Sequence, residues 1–249
     1  MANRGTGLFS IASTSALSYM IADVIHEVIG HAGASLLRHH KIMFLSSVYF
    51  KSNAFDILTD IGGPLASLSF GCLFLYLFNK MCGDRLLLFQ LAAYNLFWFA
   101  GGVLESAWKK NGDWTFAVRT AFPDSLTSLL FATAGTLFYL LFIGLLNLSL
   151  NCTLRYKHGY SLTRKLILSS FLFASISALI TGLFFRTGKI QAATEGFIEM
   201  LGSLPVLVLT YIPAPLSNEL YYQRSLLFNY LIFLLYLIFC ITLGIGINY

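Results

Sequence analysis

Long apolar runs, broken by short basic or polar stretches, make up most of this chain. They cover residues 8–37, 55–78, 86–108, 126–150, 166–185 and 226–247. A helix needs about 20 residues to cross a bilayer, so each run predicts a span. Residues 196–212 are a weaker candidate, close to the minimum length and carrying Glu199 and Pro205. The pattern predicts an all-α polytopic membrane protein with six or seven transmembrane helices in one membrane domain. The first run is longer than a bilayer requires, which predicts a helix that is tilted, bent or extended past the hydrocarbon. Residues 42–50, IMFLSSVYF, are too few to span. Their aromatic and β-branched character predicts a short β-like or re-entrant segment.

Composition agrees. Charged residues are 11% of the chain against roughly a quarter in soluble domains. The net charge of +5 comes from basic residues placed singly or in pairs between apolar runs. That places them at lipid headgroups and predicts no nucleic-acid partner. With seven spans, Lys and Arg divide evenly between the two sides, so charge sets no orientation. Cys72, Cys82, Cys152 and Cys240 form no close pair and predict neither a disulfide framework nor a cysteine zinc site. The opening MANRGTGLFSIASTSALSYM begins like a signal peptide, but its apolar run continues beyond His26, which predicts a retained span. The expected location is an integral, multi-pass position in the lipid bilayer, in the cytoplasmic membrane if the chain is bacterial.

One stretch breaks the apolar pattern from within. IADVIHEVIGHAGASLLR (residues 21–38) sets His26, Glu27 and His31 inside the first span. Ionisable groups at that depth are costly and mark functional sites. Two imidazoles beside a carboxylate are the parts of a hydrolytic zinc centre: two neutral ligands and a base for water. The His26–His31 spacing is five, whereas the usual motif has four. On an ideal helix, four residues leave side chains about 40° apart and five leave them about 140° apart. Joint ligation therefore predicts a widened, π-bulged turn, which Gly30 suits because it has no side chain to crowd it. Asp23, one turn before Glu27, is expected either to orient His26 or to make an interhelical hydrogen bond.

These residues resemble the site-2 protease family of intramembrane zinc metalloproteases, in a divergent branch with a His-Glu-x-x-Gly-His motif. The likeness covers about residues 15–116. It rests on His26-Glu27…Gly30-His31, on Gly62-Gly63-Pro64 opening the second span, and on Asn95 followed by Asp113 in Gly112-Asp113-Trp114. The family's Asn-x-x-Pro-x-x-x-x-Asp spacing is not kept here. The resemblance implies a metalloprotease core at about residues 8–116, accessory helices at about 117–249, a Zn2+ cofactor and a membrane protein or peptide substrate. It implies His26, His31 and Asp113 as metal ligands with Glu27 as catalytic base.

The other polar residues of these spans have competing readings. Asp113 otherwise reads as part of a surface turn, Asn111-Gly112-Asp113. Glu105, nearer the interior of the third span, is the rival third ligand, and Asp60 is a weaker one, with helix capping as its alternative. Asn95 is expected to position the scissile peptide or the oxyanion, or else to bond between helices. Tyr94 and Trp98 are expected to pack. The segment at 42–50 is expected to present a strand edge to substrate or to cover the metal as a hairpin. The competing function is a non-enzymatic membrane scaffold or transporter that binds a metal or protons.

Overall fold

A computed structural model of the chain describes residues 4–54, 56–80, 84–108, 112–114, 124–155, 164–211 and 224–249. Six helices among them are long and apolar enough to cross a membrane. The first begins as α1 (Arg4–Asp23), passes into a π-helical segment (Val24–Ala32) and ends as α2 (Gly33–Leu37). The widened turn expected from the histidine spacing is therefore present, and the Gly33 N–H donates to the Val28 carbonyl five residues back. His39, in the left-handed region at φ 60°, turns the chain out of the helix.

Residues 42–50 resolve as strand rather than re-entrant helix. β1 (Ile42–Leu45) pairs antiparallel with β2 (Phe50–Ser52) across a turn in which the Ser46 hydroxyl accepts the Tyr49 N–H at 2.8 Å. β3 (Ile247–Asn248) pairs with the other side of β1, giving the order β2-β1-β3. β1 is thus the central strand, and the edge expected of it is already filled.

Asp56 starts α3 (Ile57–Lys80) by accepting the Leu58 N–H at 2.8 Å and pairing with Arg38 at 2.6 Å and His40 at 3.1 Å. Capping thus falls to Asp56, not Asp60. Pro64 lies inside α3, where it cannot donate to the Asp60 carbonyl.

The centre of the molecule is α4 (Arg85–Glu105), capped by Asp84 and buried without a break from Phe89 to Ala100. It packs against α1, α3 and α5 (Asp124–Arg155). A buried Gln90 bonds to Ser18 at 2.5 Å and to Ser15 at 3.1 Å, joining α4 to α1. In apolar surroundings such polar links between helices are worth roughly 1 kcal/mol each. α6 (Arg164–Leu183) and α8 (Leu226–Phe239) flank α1, and α8 runs into a second π-helical segment, Cys240–Gly244.

Among the described residues, the weak candidate at 196–212 forms no helix long enough to span. Its residues divide between α7 (Lys189–Leu201), which carries Glu195 and Glu199, and a 3-10 helix (Leu204–Tyr211). Gly202 and Ser203 form the turn between them, and Pro205 has no N–H with which to continue an α-helix. Cys72 and Cys240 are free thiols. Lys109 to Asn111 lie outside the described residues, as do Cys82 and the side chain of Cys152.

Candidate metal centre

The π-helical turn brings His26 and His31 onto one side of the first span, with their ring centroids 4.9 Å apart. Each ring is fixed through its Nδ1. His31 Nδ1 lies 2.8 Å from the Thr59 carbonyl, which can only accept, so this nitrogen carries the proton. His26 Nδ1 lies 3.1 Å from the hydroxyl of buried Ser67. Both partners belong to α3, and the role expected of Asp23 at His26 falls to Ser67. Phe50 stacks on His31 at 5.6 Å, and Trp98 meets His26 nearly perpendicularly at 6.1 Å.

The two Nε2 atoms consequently face one another at 3.3 Å. Asp113 approaches the same point, with Oδ2 3.1 Å from His26 Nε2 and Oδ1 3.6 Å from His31 Nε2. Two nitrogens held about 2.0–2.1 Å from one tetrahedral ion stand roughly 3.3–3.4 Å apart, the separation found here. Ligand atoms of His26, His31 and Asp113 lie within 4.8 Å of one another, and Glu105, at the last residue of α4, is outside this group. The donor set of two imidazoles and one carboxylate fits a divalent ion with a coordination position left open. Exposure agrees: 35% of the Asp113 side chain is accessible against 6% of His31, so the centre opens on the aspartate side.

Two glycines make this closure possible. A Cβ on Gly63 would fall 2.7 Å from His26 Nε2, inside the space where the donors converge. A Cβ on Gly62 would fall 2.6 Å from the Gly30 carbonyl oxygen. Any side chain at these positions would push α3 away from the π-helical turn.

Carboxyl groups crowd the site. Glu27 is 6% exposed, and its Oε2 has no hydrogen-bond partner among the described residues. Both oxygens of buried Asp23 also lack a partner there. In α7, burial first, then the charge of Glu27, pushes the Glu199 carboxyl well up. The sequence reading gave Glu199 no part in the electrostatics around Glu27. Its signal was a glutamate in a stretch too weakly apolar to span. The burial of Val206 and Leu209 ties the following 3-10 helix to the core instead.

Asn95 stays within its own helix, donating to the Leu91 carbonyl at 2.8 Å, and makes no interhelical amide bond among the described residues. Thus ligand atoms of His26, His31 and Asp113 come together, while Glu27 follows His26 in the π-helical turn and Asn95 bonds within its own helix. No protein-family model, curated protein or solved structure matches the chain.

Proposed function

We propose that this protein is a membrane-embedded zinc metalloprotease, similar to site-2 proteases, that hydrolyses peptide bonds in or near the bilayer. The observation that carries the reading is the convergence of two Nδ1-anchored imidazoles and a carboxylate on one point. His26, His31 and Asp113 would hold the ion. Zinc there would supply a Lewis acid for the peptide carbonyl and lower the pKa of water. Glu27, adjacent to His26 in sequence and with a buried Oε2 that has no partner among the described residues, accepts the proton of the attacking water and returns it to the departing amine nitrogen. Its surroundings exclude solvent, so the water it activates has few competitors for its proton.

Substrate docking moves from β1 to β2, whose outer side is unpaired among the described residues. Phe50 of β2 stacks on His31, so an extended peptide added along β2 would pass beside the donors. Such a mode suits a membrane substrate, because an unwound helix needs partners for its backbone groups.

The test is zinc content and cleavage of a membrane-spanning peptide by the purified protein. Wild type should hold one zinc per chain and cleave. Glu27→Gln should keep the zinc and lose about 100-fold or more of the rate. Full turnover in Glu27→Gln rejects the reading.

The unpartnered oxygens of Asp23 and Glu27 favour a second reading, a scaffold or transporter whose acids bind a metal or pass protons. It predicts metal- or proton-dependent behaviour with no cleavage of any peptide.

A further inference from the structure

A hydrolase of this kind needs a hydrogen-bond donor aimed at the carbonyl oxygen, where negative charge develops in the transition state. Asn95 is fully buried and spends one of its two amide N–H groups on the Leu91 carbonyl of its own helix. One turn further along α4, Trp98 is 8% exposed and its indole Nε1–H has no acceptor among the described residues. Buried indole N–H groups ordinarily have a partner, so one without is a specific feature of this site. Its position is specific too. The ring stands 6.1 Å from His26 at 84°, on the imidazole whose Nε2 faces Asp113. Tyr19 braces the ring at 6.4 Å, and the buried helix α4 holds its backbone in the core. Trp114 also has an unpartnered indole N–H, but its ring packs against Phe99 and Phe131.

We propose that Trp98 is a catalytic residue that donates its indole N–H to the carbonyl oxygen of the bound peptide. This rests on the protease reading above. Trp98 Nε1 is enclosed in the resting site, so substrate must uncover it. Doing so breaks no protein hydrogen bond, and in a dry site the new bond strengthens as charge builds on the oxygen.

The chain has three tryptophans, so its 15N-indole NMR spectrum is readily assigned, with Trp98→Phe identifying the Trp98 signal. The probe is an apolar phosphonamidate peptide, whose tetrahedral P–O group mimics the transition state. In zinc-loaded full-length protein, the Trp98 indole proton should move downfield on adding the probe, while those of Trp108 and Trp114 stay in place. Trp98→Phe keeps a ring against His26 and should lower kcat about 100-fold with little change in KM, the loss typical for one such donor. It should weaken probe binding more than substrate binding.

An unmoved Trp98 signal with saturating probe overturns the assignment, and that measurement on wild type stands even if Trp98→Phe fails to fold. Unchanged kcat in a folded Trp98→Phe also overturns it, as does a kcat loss that appears in Asn95→Ala instead. Cleavage that Glu27→Gln abolishes and Trp98→Phe leaves intact removes Trp98 alone. Cleavage that survives Glu27→Gln removes the hydrolase and this role together.

Discussion

Gly30 of the π-helical turn and Gly63 of α3 meet backbone to backbone: a Cβ on Gly30 would lie 2.8 Å from the Gly63 nitrogen and 2.7 Å from the Gly62 oxygen. The contact sets how near α3 comes to the two histidines. Gly30→Ala should force the helices apart and cost about 1–3 kcal/mol, the usual penalty for overpacking. Gly63→Ala should lower zinc affinity on the order of 100-fold, because its methyl group occupies the donors' space. Gly144→Ala, with nothing within 4 Å of its added carbon, is the matched control. Thermal unfolding and zinc titration of the three variants check this.

Ser67→Ala removes the partner of His26 Nδ1 without opening a large cavity. Zinc affinity should fall about 10–100-fold, as for other residues that orient a metal-binding imidazole. Thermal stability without zinc should change little. Equal zinc affinity in wild type and variant would mean that the serine does not orient the ring.

Asp113→Ala and Glu105→Ala separate the two third-ligand candidates. The first should lose stoichiometric zinc, and the second should retain it. Retention measured after dialysis against a mild chelator decides the matter; tight zinc in Asp113→Ala would remove that residue from the ligand set.

Outside the bilayer, the Arg38 guanidinium, with the Leu58 N–H, draws the Asp56 carboxyl down to about 2. A folded-state value below the unfolded one, about 3.9, adds stability above that unfolded value. This stability is lost as pH falls from about 4 toward 2. Asp56→Asn should therefore flatten the melting temperature against pH across that window, and wild type and variant should converge at its acid end. Parallel curves would show that the pairing adds no pH-dependent stability.

Much of this architecture was legible because its signals are local. Hydropathy located the six spans, and the five-residue step from His26 to His31 foretold the π-helical turn, since helical geometry leaves few other ways to align the rings. Where the signal depends on tertiary packing, the sequence was silent. Ser67 and Thr59 look like ordinary helix residues until α3 is laid against the first span. The charge coupling of Glu199 to Glu27 depends on how α7 packs against α6, which no local pattern announces. The role of β1 as a central strand depends on residues 247–248, and nothing in IMFLSSVYF announces that partner. Trp98 read as packing because an unpaired indole N–H is invisible without coordinates.

The sheet also dictates an order of assembly. Phe44 pairs with Asn248, and Ser10 takes a hydrogen bond from Asn229, 219 positions away. Until those distant residues are synthesised and inserted, β1 has a bare flank and the opening span lacks its far neighbour. The β1–β2 hairpin is local, whereas the pairing of β1 with β3 must wait for residues 247–248. Ribosome-stalled intermediates that lack residues 226–249 should accordingly show faster hydrogen exchange at Phe44 and Leu45 than the finished chain.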